Sequence, residues 1–160
     1  MIRPVSLKDA RVISEIYNYY VEHTVITFEE IPVSPEEMEN RIRTVTAGYP
    51  WFVWDEGGTV AGYAYINQWK ERSAYRFAAE DSIYLRRGQE GRGIGGKLMA
   101  ALLEEVKKTT IHGIVAGITL PNERSIALHE KWGFKQIACF NEIGYKHDRW
   151  LDVAYWELLL

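Results

Sequence analysis

The chain has 160 residues, of which 47% are hydrophobic and 26% charged, a composition that suits one folded domain with an ample apolar core. Its formal net charge of −3 excludes the strongly basic surface expected for binding to nucleic acid or to an anionic membrane. No apolar run is long enough to cross a bilayer and the N-terminus has no apolar signal region, so we expect a cytoplasmic protein with one domain, residues 1–160.

The first part of the chain predicts a strand, two helices and a hairpin. A short strand covers residues 2–5, and a serine with an aspartate three residues later indicates a helix from Leu7 to about Glu22. A serine cap, a proline and a glutamate open a second helix, which stops at Gly48. Aromatic and β-branched runs at 51–54 and 59–67 flank two glycines, and this pattern is typical of a hairpin.

A polar connection, Lys70 to Ala79, precedes the next strand. It holds Lys70, Arg72 and Arg76 without forming a helical face. Such a cluster is either a solvated loop or a binding site for an acidic or strongly polar substrate, and both interpretations stay open at this point.

The next strand, Glu80 to Leu85, places a carboxylate ahead of a glycine-rich turn. Alternation puts Glu80, Ser82 and Tyr84 on one face of the sheet and the intervening residues on the other. Glu80 is either a solvent-facing residue at the start of a strand or a group that lies one cofactor arm away from an anion bound at the turn.

The turn has four glycines in the six residues from Gly91 to Gly96, and a helix with apolar spacing follows it. Glycines let the backbone N–H groups converge above a helix N-terminus, which predicts a phosphate cradle, with Arg92 adding positive charge. A magnesium-dependent nucleotide loop is excluded because Lys97 is followed by Leu98 rather than a hydroxyl residue. A dinucleotide loop is excluded because the strand near residue 114 lacks the acidic residue for the ribose. A ligand-free turn remains open.

The last part predicts a strand, a helix and two long strands, so the fold class is α/β (α+β) with a mixed sheet. Asn122 caps the helix and Gly133 ends it, and Ser125 and His129 share one helix face. By default these are an ordinary cap and a hydrogen-bonded histidine. The single Cys139 lies in an apolar run and is expected to be a buried structural thiol. The four histidines show no spacing for metal ligands, and we expect no metal.

Together these residues resemble the GNAT superfamily, and within it the phosphinothricin and methionine sulfone or sulfoximine N-acetyltransferases. The resemblance covers nearly the whole chain. It rests on the glycine loop, Glu80, the segment from Asn122 to Phe134, and the sequences Ile16-Tyr17-Asn18-Tyr19-Tyr20, Thr27-Phe28, Pro50-Trp51, Gly62-Tyr63-Ala64, Trp69-Lys70, Ala74-Tyr75, Ser82-Ile83-Tyr84, Gly144-Tyr145-Lys146 and Trp150-Leu151-Asp152-Val153. It implies a mixed, mostly antiparallel sheet flanked by helices and splayed open between the Glu80 and Ile114 strands, with acetyl-CoA in the gap.

The resemblance also implies roles for individual residues. The catalytic pair would be Glu80 as general base and His129 as the acid for the CoA thiolate. The acetyl-CoA contacts would be Ile83, Tyr84, Leu85, Gly91, Arg92, Gly93, Ile94, Gly95, Gly96, Asn122 and Ser125. The acceptor contacts would be Phe28, Lys70, Glu71, Arg72, Glu80, Asp81 and Ser82. The chain departs from the family at Glu90, where Arg or Gln is usual, and a carboxylate beside a pyrophosphate is unfavourable unless it points away.

Three functions follow from the resemblance. The first is acetylation of the α-amino group of a small amino acid such as phosphinothricin, methionine sulfoximine or methionine sulfone. The others are a GNAT-fold protein that binds acyl-CoA without turnover and a protein or peptide N-acetyltransferase. The presence of both Glu80 and His129 favours an enzyme, and the basic connection favours a compact anionic acceptor. Family members are usually dimers, so a homodimer is expected.

Overall fold

The computed structural model describes residues 1–160 and contains one seven-stranded sheet with four α-helices. The order of strands in the sheet is β1-β2-β3-β4-β5-β7-β6. In chain order the elements are β1 (Ile2–Pro4), α1 (Ala10–His23), α2 (Pro35–Thr46), β2 (Trp51–Glu56), β3 (Thr59–Gln68), β4 (Ala78–Leu85), α3 (Ile94–Val106), β5 (Gly113–Thr119), α4 (Glu123–Lys131), β6 (Lys135–Lys146) and β7 (Arg149–Leu159).

The sheet is splayed at its centre. Strands β4 and β5 are its one parallel pair, and they pair over three residues only, Ala78–Glu80 against Gly113–Val115. Beyond Glu80 the two strands separate, while each keeps its antiparallel partner on the other side, β3 and β7. The splayed, mostly antiparallel mixed sheet is therefore confirmed.

The predicted helices are present, and their caps explain where they begin. The Oγ of Ser34 accepts a hydrogen bond from the backbone N–H of Glu37 at 3.1 Å, with Pro35 in the first helical position, so α2 starts as predicted. The helix predicted from Leu7 instead begins with a 3₁₀ turn, Leu7–Asp9, and α1 proper starts at Ala10.

Both faces of the sheet are covered, and each has its own apolar core. The α3 face buries Leu98, Leu102 and Trp156, whereas the α1 and α2 face buries Ile13 and Ile42. Side chains alternate along β4 between these two faces, as the sequence predicted: Ile83 and Leu85 pack towards α3, and Tyr84 packs against the tyrosines of α1.

One prediction about the core is wrong. Cys139 is exposed, because β6 is the outermost strand of the sheet and most of its residues face solvent. The apolar run around this cysteine therefore belongs to an edge strand and not to a buried one. None of the helices is both long and apolar enough to cross a membrane, and no group of three or more His, Cys, Asp or Glu side chains is placed to hold a metal ion.

Candidate active site

A cleft of about 960 Å³ opens where β4 and β5 separate. Its walls include residues 82–85 of β4, residues 116–119 of β5, the glycine turn with the start of α3, and one face of α4. The loop between α1 and α2 closes one side through Thr27 and Phe28. The fold thus brings the glycine turn, Glu80 and the α4 residues to one place.

The cleft exposes an unpaired strand edge. Beyond Glu80, β4 pairs only with β3, so alternate backbone groups of this part of β4 face the gap. An extended ligand can satisfy them as a neighbouring strand would, which suits an amide-rich pantetheine arm. Ile83 fits the predicted role, whereas the backbone groups of Tyr84 face β3 and the carbonyl of Leu85 already accepts a hydrogen bond from the hydroxyl of Tyr20 at 2.7 Å.

The glycine turn leaves backbone donors free at the start of α3. Gly93 is the N-cap residue with φ of 76°, a left-handed conformation that favours glycine, and its lack of a side chain leaves the cap without a side-chain acceptor. The first helical hydrogen bond runs from the N–H of Lys97 to the carbonyl of Gly93, so the N–H groups of Ile94, Gly95 and Gly96 have no helical partner. These donors and the positive end of the helix fit the diphosphate of acetyl-CoA.

The predicted cation of this turn points elsewhere. The guanidinium of Arg92 pairs with Glu56 at 2.9 Å and contacts Gln89, so it does not line the cleft. Glu90 does line the cleft, and its carboxylate accepts the N–H of Gly88 at 2.8 Å. The cation that faces the cleft is Arg124 in the first turn of α4. We did not predict Arg124 as a contact, although it follows Asn122, a predicted contact, by two residues at the same end of α4.

We expect Arg124→Ala to weaken binding of acetyl-CoA about tenfold, because one charge-assisted hydrogen bond contributes roughly 1.5 kcal/mol or more. Arg92→Ala is the matched control, since it removes an exposed arginine of the turn that is paired with Glu56. Isothermal titration with CoA measures both variants. A larger loss in the Arg92 variant would show that the guanidinium assignments are reversed.

Glu80 lies at the point where the strands separate, and its carboxylate has no hydrogen-bond partner in the protein. Burial raises the pKa of this carboxyl group and the neighbouring charge of Asp81 raises it further, while Lys70 acts in the opposite direction. Tyr155 of β7 lies beside it: a Cβ at Gly117 would be 3.1 Å from the Tyr155 ring and 3.4 Å from Oε1 of Glu80. Gly117 therefore keeps open the space around the carboxylate, and neither it nor Tyr155 was predicted.

His129 lies on the opposite face of β4 from Glu80, and both of its ring nitrogens are in hydrogen bonds. Nε2 donates to Oδ2 of Asp81 at 2.9 Å, and Nδ1 donates to the carbonyl of Ser125 at 2.7 Å. A backbone carbonyl can only accept, so Nδ1 carries a proton, and the contact with the Asp81 carboxylate favours a second proton on Nε2. Burial opposes its charge, but the bond and charge of Asp81 outweigh burial and raise the pKa of His129.

Two predicted CoA contacts of α4 also have partners within the protein. Oδ1 of Asn122 accepts the N–H of Ser125 at 3.2 Å, which is the ordinary helix cap. Both residues line the cleft, and the amide nitrogen of Asn122 has no partner. Their roles in holding the pantetheine arm stay predictions.

The predicted acceptor contacts fall into two groups. Phe28, Ser82 and Asp81 line the cleft, although the carboxylate of Asp81 is engaged by His129. In contrast, Lys70, Glu71 and Arg72 lie outside its lining in an exposed connection that follows the end of β3. The structure therefore does not bring these three to the cleft, and Lys70 acts on it only at a distance, through its charge on Glu80.

Comparison with known proteins agrees with this geometry. Residues 2–155 match the model of the acetyltransferase (GNAT) domain. The chain is 34% identical over 156 residues to phosphinothricin N-acetyltransferase of Streptomyces viridochromogenes, covering 98% of this chain and 85% of that protein. It is 36% identical over 163 residues to the L-methionine sulfoximine/L-methionine sulfone acetyltransferase of Salmonella typhimurium, covering 99% of this chain and 94% of that protein.

A solved structure shows the same fold with a ligand. It is a GNAT superfamily phosphinothricin acetyltransferase from Sinorhizobium meliloti in complex with acetyl-CoA, with 41% sequence identity, a TM-score of 0.96, and coverage of 100% of this chain and 88% of that one. A protein with the same fold as this chain thus binds acetyl-CoA. The chain belongs to the GNAT acetyltransferases and is an acetyl-CoA-dependent N-acetyltransferase.

Proposed function

We propose that the protein transfers the acetyl group of acetyl-CoA to the α-amino group of a small amino acid such as phosphinothricin, methionine sulfoximine or methionine sulfone. The observation that carries the proposal is Glu80, a half-buried carboxylate without a hydrogen-bond partner at the head of the cleft. The relatives' names supply the acceptor class.

Glu80 has the properties that the chemistry requires of a base. An α-ammonium group cannot attack a thioester, so its proton must first pass to an acceptor, either directly or through water. The raised pKa of Glu80 moves this carboxyl group towards the range where it accepts a proton near neutral pH. The backbone N–H of Ile83, which faces the gap, would stabilise the oxyanion that forms on the thioester oxygen.

The acceptor end of the cleft suits a compact molecule. Thr27 and Phe28 close it on one side, and Tyr155 borders Glu80 on the other. These walls favour a free amino acid over a protein surface, because a peptide needs an open groove to pass through. An oxygen-bearing phosphorus or sulfur group on the acceptor side chain would add hydrogen-bond acceptors that plain methionine lacks.

The experiment is an acceptor panel assayed by release of CoA thiol. We expect turnover with phosphinothricin, methionine sulfoximine and methionine sulfone, and kcat/KM at least about tenfold lower with plain methionine, which lacks these oxygens. Peptides with free N-termini or lysine side chains are the second arm. Preferred turnover of such peptides would support the protein acetyltransferase instead.

We also propose that the protein is a cytoplasmic homodimer. Support for the dimer comes from large apolar side chains that one copy leaves exposed along β6 and β7, among them Ile137, Ile143, Tyr145 and Trp150. A lone cysteine, which cannot form an internal disulfide, is in keeping with a reducing compartment.

A further inference from the structure

The loop Thr24–Val33, here called the wall loop, forms one side of the cleft without secondary structure of its own. Residues 25–33 make no backbone-to-backbone hydrogen bond. Its position therefore depends on side chains that reach it from other elements. Asn18 holds its far end through two bonds to the backbone of Val33, at 2.7 and 2.9 Å.

The middle of the wall loop is held at Thr27 from two directions. The hydroxyl of Tyr17 in α1 lies 2.7 Å from Oγ1 of Thr27. From the opposite side, Nζ of Lys146 at the end of β6 donates to the carbonyl of Thr27 at 2.7 Å. Lys146 is 119 residues away in sequence and forms the polar link between this loop and the outer strand of the sheet.

Lys146 is an unusual residue to find in this place. The residue is 2% exposed, although lysine is rarely buried unless a carboxylate is paired with it. Lys146 forms no ion pair: Glu29 is bound by Arg41 and Tyr17, and Glu30 acts on the ammonium only through its charge. Burial lowers the pKa of Lys146, and the charges of Glu29 and Glu30 offset part of this effect. A buried ammonium with one carbonyl acceptor contributes little to stability, which favours a role in positioning.

A second contact joins β6 to the wall loop two residues earlier. A Cβ at Gly144 would lie 2.3 Å from two carbons of the Phe28 ring, so only glycine leaves room for the ring. Gly144 and Lys146 are both buried, and the residue between them is exposed, as expected for one face of a strand. The same face of β6 therefore seats Phe28 and anchors Thr27.

We propose that Lys146 and Gly144 are positioning residues that set acceptor specificity by holding Thr27 and Phe28 as a rigid wall of the acceptor site. This inference rests on the proposed function, because it assigns that wall to the amino-acid end of the cleft. Thr27 lies within hydrogen-bond reach of Tyr84, which shares a face of β4 with Glu80, and both Thr27 and Phe28 line the cleft. The wall is therefore assigned to the acceptor and not to the diphosphate.

Lys146→Met tests the anchor, because methionine keeps the apolar stem and removes the donor. We expect faster amide hydrogen exchange at Ile26 and Glu29, whose N–H groups are bonded to the hydroxyls of Thr24 and Thr27. We also expect a rise in KM for the acceptor on the order of tenfold, within the hundredfold that a 1 Å misplacement can cost. The KM for acetyl-CoA and the exchange of α3 should stay unchanged. Lys146→Arg, which retains a donor, should restore part of the loss. Lys135→Met, at the exposed start of the same strand, is the matched control and should change neither quantity.

Gly144→Ala tests the seat of Phe28 without altering any charge. We expect it to raise the acceptor KM and to lower discrimination between small and bulky acceptor side chains. Gly48→Ala, at a position with nothing within 4 Å of the added carbon, is its control. Unchanged exchange in a folded Lys146→Met protein would overturn the proposal, and so would equal rises in the KM of both substrates. If Lys146→Met exchanges faster but the wild-type protein acetylates no amino acid, the anchoring role is supported and the proposed acceptor class is overturned.

Discussion

Replacing Glu80 with glutamine should lower kcat by about 10²- to 10⁴-fold, the range for loss of a positioned general base. Glutamine has nearly the same shape and occupies the same space beside Gly117 and Tyr155, so the sheet should stay intact. The affinity for acetyl-CoA should change little, because Glu80 lies away from the donors of the glycine turn. Steady-state kinetics and a CoA titration on the same preparation measure both effects.

The pH dependence of kcat/KM shows whether Glu80→Gln has lost a general base. Wild-type kcat/KM should rise with pH as Glu80 ionises, since its pKa is raised, and as the acceptor amine loses its proton. Glu80→Gln should lose the first component and keep the second, so that high pH restores part of its activity. Glu123→Gln, an exposed carboxylate in the first turn of α4, is the control and should match wild type. Wild-type turnover by Glu80→Gln near neutral pH would assign the base to another group, such as a water held by Ser82.

The sequence predicted the elements and the backbone conformation of the glycine turn well, because local signals determine them. The cap at Ser34 begins α2, and the glycines at the start of α3 have the free backbone donors and positive φ that the pattern indicated. Alternation along β4 correctly separated Glu80 from Asp81, since that property depends only on strand geometry.

The sequence could not predict which distant side chains meet. Arg92 stands beside a phosphate turn in the chain but pairs with Glu56, which comes from a strand 36 residues earlier. The cations at Lys70 and Arg72 suggested an acceptor site, yet the connection that carries them lies outside the cleft lining. The apolar run around Cys139 suggested burial, but strand order places it at the sheet edge. Each of these outcomes depends on long-range pairing, which local composition does not encode.

Asp81→Asn should produce the largest loss of stability among single changes in the cleft. The Asp81 and His129 side chains are 2% and 6% exposed, and they join β4 to α4 across the cleft at 2.9 Å. Removing one partner from a buried pair costs about 3–5 kcal/mol because the remaining charge is left buried. A chain of this size loses roughly 2–4 °C of Tm per kcal/mol, so calorimetry should detect a drop on the order of 10 °C.

The same variant distinguishes a structural role of His129 from an acid role. If His129 only holds α4 in place, Asp81→Asn and His129→Gln should lose stability while kcat, measured well below their Tm, falls far less than in Glu80→Gln. If His129 protonates the departing thiolate, the loss of kcat in His129→Gln should instead be comparable with the loss in Glu80→Gln. His23→Gln, an exposed histidine at the end of α1, controls for removal of an imidazole.

The pH dependence of stability provides the last test, and its direction follows from the raised pKa of His129. Folding increases the affinity of this ring for its proton, so the pair contributes fully below the unfolded pKa of about 6.5. As pH rises through the higher folded pKa, the proton leaves and this contribution is lost. The difference in unfolding free energy between wild type and Asp81→Asn should therefore be largest near about pH 5–6 and shrink as pH rises above the folded value. Urea titrations across this range measure it, and a difference that grows with pH would mean that His129 is neutral in the folded protein.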